Sequence, residues 1–518
     1  MTTLRFLFRV DASTEIGTGH VTRCITLAKK LRTYGHTCEF ACRLHVGNLV
    51  DHIESQGFYV LRLLKPTPNE VCPSLELSTR HASWLGVSQI ADCNELLGLI
   101  GEGKYDWVVI DHYGIDTVWE QMMRSCCNQI LVIDDLANRS HDCDVLLDQN
   151  FVGNYLSRYD GLVPDGCNKL LGPRYALLHA DFETVIKDPG SKTNAPRRAL
   201  VFFGGTDVGG VTATVVNAIM EIDDLDFHLE IVLNKESPSY ESIASKWSQS
   251  MRLTFHSGLP SLANLMSRCD VAIGAGGVTT WERLCTALPS LIFTVADNQV
   301  AIAEYLQSQG LVSYCGKFGE ARKESIVRSF RALVQQESRP DFIQKCHALV
   351  PGNGTNTVAT YIGIPHFVEL CVRTANAEDV NLIFEWANDP YVRKNSLNGD
   401  SIPFEVHQKW YSEKIACPAT KLYIIENDSG VSVGVVRLEQ KSERWLLNYN
   451  IAPILRGKGL ARGMLSAALT YHRDVVGCCT VGATVKVENV ASRRVLERES
   501  FVQVQLNSDV VEYELTVK

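Results

Sequence analysis

Short apolar runs alternate with longer stretches of helical hydrophobic spacing over roughly the first 350 residues. Apolar runs bounded by helices are typical of buried parallel strands that right-handed crossovers connect. A polar, proline-containing link at 188–198 divides the pattern into two halves, so we expect two doubly wound sheets with a ligand cleft between them. The predicted strands lie at 6–10, 37–42, 107–111, 130–134 and 145–148 in the first half and at 199–203, 228–233, 253–256, 271–274 and 290–293 in the second.

A second break, at 351–354, introduces a different pattern. Two predicted helices are followed by three consecutive strands of antiparallel type, which predicts a compact α+β domain of about 150 residues. The predicted helices are 378–388, 404–415, 460–472 and 491–499, and the predicted strands are 422–426, 431–439, 445–451, 480–487 and 510–517. We therefore predict an α/β chain of three domains: Rossmann-like halves at 1–190 and 191–363, and an α+β domain at 364–518.

The composition narrows the class of protein. Of the 518 residues, 45% are hydrophobic and 21% are charged, which is typical of a globular chain with several cores. The net charge of −9 argues against a general nucleic-acid surface, and no apolar run approaches the roughly 20 residues of a membrane span. The start lacks a signal-peptide pattern, so we expect a cytoplasmic protein without nucleic-acid or membrane partners.

The 17 cysteines are scattered through apparent core segments, and we expect them to be reduced thiols. The adjacent pairs at 126–127 and 478–479 lack the Cys-x-x-Cys spacing of zinc sites. The sequence therefore predicts no bound metal.

A glycine-rich turn follows the first predicted strand. Gly17 and Gly19 precede His20, which stands at the start of a predicted helix. Glycines between a strand and a helix let backbone N–H groups approach a phosphate, and the positive end of the helix dipole favours a neutral imidazole. The run predicts an anion site beside a catalytic base, and a histidine with only a structural task at the helix start is the alternative.

Polar residues end two further strands of the first half. Asp111 ends one predicted strand, with Tyr113 two residues later, and Asp135 follows the next. Ligands bind outside the carboxyl ends of strands in open α/β sheets, so these residues are candidates for the same site. The alternatives are capping for the two aspartates and packing in the cleft wall for Tyr113.

The second half contributes two glycine turns, at 204–205 and at 274–277. The amides of Gly276 and Gly277 would meet a pyrophosphate at a helix start, and Glu282 in that helix would accept hydrogen bonds from ribose hydroxyls. A tight turn without a ligand is the alternative for the glycines, and a solvated helix position is the alternative for Glu282.

Six motifs occur in a specific joint order: Arg9-Val10-Asp11-Ala12-Ser13, Ile16-Gly17-Thr18-Gly19-His20, Ile110-Asp111-His112-Tyr113-Gly114, Asp134-Asp135-Leu136-Ala137, Gly204-Gly205-Thr206-Asp207, and Gly274-Ala275-Gly276-Gly277 with Glu282 and Asn298-Gln299. In this order they resemble the UDP-2,4-diacetamido-2,4,6-trideoxy-β-L-altropyranose hydrolases of pseudaminic-acid biosynthesis, over about residues 3–363. The resemblance implies a glycosyltransferase-B-like fold, UDP held mainly by the second half, and no metal.

The resemblance also implies roles for single residues. His20 matches the proposed base and Tyr113 lies in the implied sugar site, and we add Asp111 as a third catalytic candidate. His20 would take a proton from water, UDP is already a good leaving group, and a single displacement would invert the anomeric centre. The expected UDP- and substrate-binding residues are Gly17, Gly19, Gly204, Gly205, Gly276, Gly277, Val278, Glu282 and Asn298.

The C-terminal domain has a glycine loop of its own. The segment Arg456-Gly457-Lys458-Gly459-Leu460-Ala461 lies between a predicted strand and a predicted helix. Exposed N–H groups before a helix make a pyrophosphate cradle, to which the two cations add charge, and a cationic surface turn is the alternative. With Asn489, the segment resembles the GNAT superfamily of acyl-CoA N-acyltransferases over about residues 367–518. The resemblance implies acetyl-CoA as co-substrate, bound by Arg456, Gly457, Lys458, Gly459, Leu460, Ala461 and Asn489.

Two positions depart from the GNAT pattern. Leu496 stands where many members place a tyrosine general acid, and Ser500 replaces the usual glycine before Phe501. Asn448, Tyr449 or a water held by the backbone are the alternatives for the acid.

Together the two resemblances predict a bifunctional enzyme in which an acetyltransferase and a UDP-sugar hydrolase catalyse consecutive steps. A UDP-sugar-dependent glycosyltransferase with a GNAT domain is one alternative, and a nucleotide-sugar sensor without catalysis is another. The stereochemistry of the sugar, the acyl group, the oligomeric state and any channelling of the intermediate stay open.

Overall fold

The computed structural model describes residues 3–66, 81–185, 197–204, 207, 210–320, 322–335, 340–364, 369–396, 398–427 and 430–517, with only the backbone at Asn298 and Pro390. The chain divides into two compact units, Thr2–Ala359 and Thr360–Lys518. Across the described ranges, no helix is both long enough and apolar enough to span a membrane.

The N-terminal unit begins with a seven-stranded parallel sheet of order β3-β2-β1-β4-β5-β6-β7. The direction of this order reverses between β1 and β4, so the loops that leave these two strands border one crevice at the carboxyl edge. The elements are β1 (Arg5–Val10), α1 (Gly19–Thr33), β2 (Thr37–Arg43), α2 (Val50–Ser55), β3 (Tyr59–Leu63), α3 (Gln89–Ile100), β4 (Tyr105–Asp111), α4 (Thr117–Met123), β5 (Cys127–Ile133), β6 (Val145–Asp148) and β7 (Asn168–Leu171).

A buried ion network holds the loop that leaves β1. Arg9 is fully buried within β1, and its guanidinium lies 2.7 Å from a carboxylate oxygen of Asp11 and 2.8 Å from one of Asp92. Asp11 also accepts a hydrogen bond from the backbone N–H of Arg43 on β2. Buried charges are tolerated only when they are paired in this way, so the network ties the start of the loop to the neighbouring strand.

A second parallel sheet, of six strands in the order β10-β9-β8-β11-β12-β13, follows in the same unit. Its order reverses between β8 and β11, which again places the loops after these strands at one crevice. The elements are β8 (Arg197–Phe202), α5 (Val211–Met220), β9 (Phe227–Val232), α6 (Pro238–Lys246), β10 (Leu253–His256), α7 (Ala263–Arg268), β11 (Val271–Ala275), α8 (Thr279–Cys285), β12 (Ser290–Thr294), α9 (Val300–Ser308), β13 (Ser313–Lys317), α10 (Lys323–Gln335) and α11 (Pro340–Leu349). The next helix, α12 (Gly354–Gly363), contains the boundary between the units, and its residues from Thr360 onward belong to the C-terminal unit.

The C-terminal unit contains a mostly antiparallel sheet of order β14-β15-β16-β17-β18-β20-β19. The exception is the β17–β18 pair, which is parallel and whose register ends at Leu446 opposite Gly482. The elements are β14 (Leu370–Thr374), α13 (Val380–Ala387), α14 (Pro390–Asn395), α15 (Phe404–Ala416), β15 (Thr420–Asn427), β16 (Ser432–Lys441), β17 (Arg444–Ile451), α16 (Leu460–Val476), β18 (Cys479–Lys486), α17 (Val490–Arg498), β19 (Val502–Leu506) and β20 (Val510–Val517).

The predicted fold class is confirmed, because two Rossmann-like sheets precede an α+β unit. In the C-terminal unit, strands β17 and β18 part after their third residue pair, while β17 stays paired with β16 as far as Ile451. The outer edge of β17 beyond Leu446 therefore has no strand partner among the described residues.

Ser500 occupies a backbone conformation that favours glycine. Its φ is +67°, and it directly follows the last turn of α17. A left-handed residue at this position lets the chain reverse, so that the N–H of Phe501 bonds the carbonyl of Leu496 and the Phe501 ring enters the core. The position thus has a left-handed conformation, which glycine adopts without steric cost.

We expect Ser500→Gly to raise the free energy of unfolding by about 1 kcal/mol, because glycine adopts a positive φ without steric cost. Chemical denaturation of the full-length chain measures this change. Ser466→Gly, inside α16, is the matched control, and it should lower the free energy of unfolding by about 0.5 kcal/mol. A Ser500→Gly chain no more stable than the parent would contradict the strain argument.

Candidate active site

His20, Asp111 and Arg23 meet where the loops after β1 and β4 come together. The Nδ1 atom of His20 lies 2.6 Å from a carboxylate oxygen of Asp111, at the end of β4. Arg23, one turn further along α1, donates two hydrogen bonds of 2.6 Å to the same carboxylate. Asp111 is fully buried, whereas the His20 side chain keeps 11% of its surface exposed. The imidazole is therefore the accessible end of a buried charged group.

The charge of Asp111 determines which nitrogen of His20 is basic. Burial opposes its ionisation, but Arg23 and His20 hold the pKa of Asp111 well below its usual value. An ionised carboxylate only accepts hydrogen bonds, so Nδ1 of His20 carries the hydrogen even though the Arg23 guanidinium lies 3.3 Å away. The Nε2 lone pair is then available as a base.

Tyr113 packs on this pair and is held by a second carboxylate. Its ring meets the His20 ring edge-on with centroids 4.6 Å apart, and its hydroxyl donates a 2.5 Å hydrogen bond to Asp135. Burial and the neighbouring Asp135 raise the pKa of Tyr113, which keeps the phenol neutral. Arg23 bridges the two carboxylates, since it also lies 2.8 Å from Asp135.

The sequence did not predict that two further aromatic rings, those of His81 and Trp84, lie beside His20 and Tyr113. Trp84 stacks on Tyr113 with centroids 5.7 Å apart and meets His20 at 6.5 Å, and His81 packs on Trp84 at 4.6 Å. These residues lie before α3, in a segment without strand or helix periodicity. The signal for them was only compositional, namely two aromatic rings close together in a loop. Partly exposed rings of this kind suit the apolar face or the methyl groups of a sugar.

Contacts connect this group to the second sheet. Asn150 donates a 3.1 Å hydrogen bond to Asp135, and the next residue, Phe151, packs on Tyr305 of α9. The residue before α9 is Gln299, and a Cβ built on Gly276 would lie 3.7 Å from the Cβ of Gln299. Contacts through Asn150, Phe151 and α9 therefore link the group around Asp135 to the glycine turn at Gly276.

Glu282 of the second half has a carboxylate oxygen in an unusual environment. Its Oε2 atom is buried and, within the described ranges, has no hydrogen-bond partner. Burial raises the pKa of Glu282 to about 7, although the adjacent Arg283 opposes the shift. A buried acceptor without a partner is costly, and such atoms are often satisfied by a ligand. The solvated helix position considered for Glu282 does not describe this environment.

A cavity of about 390 Å³ adjoins the glycine turn at 274–277. Thr294 at the end of β12 forms part of its lining and lies 3.6 Å from the position of a Cβ on Gly276. The lining also includes Lys317 and Phe318 from the end of β13 and Val211 at the start of α5. Its position at the carboxyl edge of the sheet is where nucleotides bind in doubly wound folds.

Of the other residues that the sequence predicts to bind UDP or substrate, the structure describes some in full and others only in part or not at all. Gly17 has a φ of +79° and closes a tight turn onto Ser13, whereas a side chain at Gly19 would meet nothing. Gly204 has a φ of +108° at the end of β8, and Val278 precedes α8. Gly205 lies outside the described residues, as does the side chain of Asn298.

The loop before α16 has the geometry of an anion site. Gly457 and Gly459 have φ values of +81° and +75°, and a Cβ on either would meet no atom. The first turn of the 17-residue helix that follows, which begins with Leu460 and Ala461, contains no acidic residue. Its N–H groups and the positive end of its dipole thus face the loop without a competing charge.

The two cations of this loop point elsewhere. Arg456 lies 2.6 Å from a carboxylate oxygen of Asp389, and Lys458 donates a hydrogen bond to the carbonyl of Tyr361 in α12. Burial lowers the pKa of Lys458 to about 8. The sequence predicts that Arg456 and Lys458 add positive charge to the anion site. In the structure their charges are directed to Asp389 and Tyr361, so the positive potential at the loop comes mainly from the backbone N–H groups.

Tyr449 and Ser492 lie close together beside the gap between β17 and β18. The Tyr449 hydroxyl is 2.6 Å from the Ser492 Oγ in the first turn of α17, and Asn489 caps that helix through Ser492. Burial raises the pKa of Tyr449. Leu496, one turn further along α17, is fully buried in the core.

Residues 369–502 match the acetyltransferase (GNAT) domain family. The C-terminal unit carries a GNAT domain. A spermidine N-acetyltransferase of Vibrio cholerae, solved with CoA and spermine, covers 29% of the chain at 21% identity with a TM-score of 0.27, and 95% of that structure is covered.

Relatives also match the part that precedes the GNAT domain. A UDP-2,4-diacetamido-2,4,6-trideoxy-β-L-altropyranose hydrolase of Campylobacter jejuni is 26% identical over 310 residues, which is 59% of this chain and 97% of that protein. An uncharacterized protein of Methanocaldococcus jannaschii is 22% identical over 502 residues and covers 95% of both chains. The chain is thus a fusion of a hydrolase-like part with the GNAT domain. Within its described ranges, no three His, Cys, Asp or Glu side chains are grouped to hold a metal ion.

Proposed function

We propose that the chain is a bifunctional nucleotide-sugar enzyme of pseudaminic-acid (nonulosonic-acid) biosynthesis. The GNAT domain acetylates the 4-amine of UDP-4-amino-4,6-dideoxy-N-acetyl-β-L-altrosamine with acetyl-CoA. The N-terminal unit then hydrolyses the product, UDP-2,4-diacetamido-2,4,6-trideoxy-β-L-altropyranose, to UDP and the free sugar. The observation that carries the proposal is the His20–Asp111 pair at the carboxyl edge of the first sheet. The part of the chain that contains this sheet is similar to such a hydrolase.

In the hydrolytic step, Nε2 of His20 takes a proton from a water molecule that attacks the anomeric carbon. Asp111 holds the ring and stabilises the imidazolium that forms. The bond between the anomeric carbon and the diphosphate oxygen breaks, and the carbon is inverted. The glycine turn around Gly276 and the adjoining cavity hold UDP, with Glu282 on the ribose hydroxyls.

In the acetyl-transfer step, the loop at 456–461 holds the pyrophosphate of acetyl-CoA. The outer edge of β17 beyond Leu446 offers backbone groups to the amides of the extended pantetheine arm, as a sheet edge does to an added strand. The sugar amine attacks the thioester carbonyl, and the departing thiolate needs a proton. The hydroxyl of Tyr449 supplies it, and Ser492 orients that hydroxyl. The C–S bond breaks as the C–N bond forms, and the proton that the nitrogen loses returns to the Tyr449 oxygen.

Incubation of the full-length protein with the 4-amino UDP-sugar and acetyl-CoA, with products resolved by mass, tests the proposal. We expect CoA, UDP and the free diacetamido sugar, and no free sugar when acetyl-CoA is omitted. UDP release without acetyl-CoA would contradict the coupled order. UDP release that requires an added acceptor would indicate a glycosyltransferase, and tight binding with intact UDP-sugar would indicate a sensor.

The environment of Glu282 predicts a pH dependence for nucleoside binding. The ribose hydroxyls bind the ionised carboxylate, so binding releases a proton below the pKa of about 7. The affinity for uridine, which carries no phosphate to titrate, should therefore fall up to about tenfold per pH unit below pH 7 and be constant above it. Titration calorimetry from acid to mildly alkaline pH measures this curve.

Glu282→Gln should bind uridine more weakly than the parent at pH 8, with an affinity that no longer changes with pH. Glu324→Gln, which removes an exposed carboxylate from α10, is the matched control and should leave the curve unchanged. A parental affinity that is constant across this range would rule out Glu282 as the ribose acceptor.

A further inference from the structure

Two cysteines of the first sheet lie in contact although 24 residues separate them. The Sγ atoms of Cys143 and Cys167 are 3.6 Å apart. Cys143 stands two residues before β6 and Cys167 directly before β7, and the two strands pair in parallel from Val145 opposite Asn168. The hydrogen bond from the Asn168 N–H to the Asp144 carbonyl continues that pairing to the cysteines. The thiols therefore face each other just before two strands whose pairing fixes their approach.

The two thiols differ in exposure and in acidity. Cys143 is buried in the core of the sheet, with 2% of its surface exposed, whereas Cys167 is partly exposed. The contact between the two sulfurs lowers the pKa of Cys167 and raises the pKa of Cys143. A partly exposed cysteine of lowered pKa beside a second thiol is the arrangement of peroxide-sensitive cysteine pairs.

We propose that Cys143 and Cys167 form a disulfide when the protein meets hydrogen peroxide. The Cys167 thiolate attacks one peroxide oxygen, so that an S–O bond forms, the O–O bond breaks, and the released hydroxide takes up a proton to give water. Cys143 then attacks the Cys167 sulfur, so that the S–S bond forms and the S–O bond breaks. The second hydroxide takes the Cys143 proton. Two thiols and one peroxide thus give one disulfide and two waters.

The cross-link would close the segment 144–166, which braces the candidate site. Within it, Asn150 bonds Asp135, and Arg158 lies 3.0 Å from Asp148 and donates to the Asp135 carbonyl. Asp135 in turn holds Tyr113 and Arg23. Closing a loop restricts the unfolded chain, so the oxidised protein should melt a few degrees higher than the reduced protein.

Peptide mapping tests the proposal directly. The reduced full-length protein is treated with hydrogen peroxide, its remaining thiols are blocked with N-ethylmaleimide, and it is digested without reduction. We expect a cross-linked peptide that contains Cys143 and Cys167 and that dithiothreitol separates. Glutathione in the same tube is the positive control for the peroxide. If glutathione is oxidised while both cysteines are recovered as maleimide adducts, the proposal is overturned. Pairing of either cysteine with a different partner would also overturn it.

Variants separate the two steps. Cys167→Ser should abolish the cross-link and the rise in melting temperature. Cys143→Ala should stop at a Cys167 sulfenic acid that dimedone captures, and this acid should form more slowly because the contact that lowers the pKa of Cys167 is lost. Cys127→Ser is the matched control, because Cys127 is also partly buried at the start of a strand in this sheet, and burial raises its pKa to about 12. It should leave the cross-link unchanged, and loss of the cross-link in this variant would contradict the assignment.

Discussion

His20→Ala should lower the rate of UDP-sugar hydrolysis by about 10³-fold and leave acetyl transfer within about twofold of the parent. The substitution removes the Nε2 base that would activate water, whereas the loop at 456–461 belongs to a different compact unit. Two assays measure the outcome: UDP release from the diacetamido sugar nucleotide, and CoA release with the 4-amino sugar nucleotide.

His52→Ala is the matched control for this variant. His52 is an exposed histidine on helix α2, which connects β2 and β3 of the same sheet. This substitution should change neither rate. Equal loss of both activities in His20→Ala would contradict separate sites. Hydrolysis at the parental rate would remove His20 from the chemistry and leave the His20–Asp111 contact as a structural ion pair.

Tyr449→Phe should lower kcat for acetyl transfer by about 10²-fold with little change in KM for acetyl-CoA, because the variant keeps the ring and removes only the proton donor. Because burial raises the pKa of Tyr449, the hydroxyl stays protonated through neutral and mildly alkaline pH. The kcat of the parent should therefore show no decrease from deprotonation of Tyr449 below pH 10. Steady-state kinetics across this pH range measure both quantities.

Two further variants sharpen this test. Ser492→Ala leaves the phenol in place and should cost less than Tyr449→Phe, since it removes only the partner that orients the hydroxyl. Tyr471→Phe, on α16, is the matched control and should be neutral. If kcat of Tyr449→Phe stays within about twofold of the parent, the proton comes from another source, such as bound water.

Strands with continuous apolar runs could be predicted from the sequence, whereas the strands at sheet edges, apart from β10 at 253–256, could not. The predicted strand at 107–111 corresponds to β4, in which six of the seven residues are buried. By contrast, β7 begins with the exposed Asn168 and Lys169, and all five residues of β19 are exposed. An edge strand buries too little to leave an apolar run, so its pattern cannot be distinguished from a loop.

The candidate site shows the same division between local and tertiary signals. His20 and Asp111 were each recognised from their position after a strand, but their 2.6 Å contact spans 91 residues and follows from β1 lying beside β4. Trp84 lies in a segment whose only signal was composition. The directions of Arg456 and Lys458 depend on partners far away in the sequence, which no motif in the loop specifies.

The parted strands of the GNAT domain have a consequence for its energetics. Beyond Leu446, the edge of β17 is a row of backbone donors and acceptors inside the domain, without a strand to complete it among the described residues. In the proposal, the pantetheine arm takes the place of that strand. A molecule that binds only the folded state also shifts the folding equilibrium, so acetyl-CoA would act as a folding ligand as well as an acyl donor. The fraction of chains with a folded GNAT domain would then rise with the cell's supply of CoA and its thioesters, which share that arm.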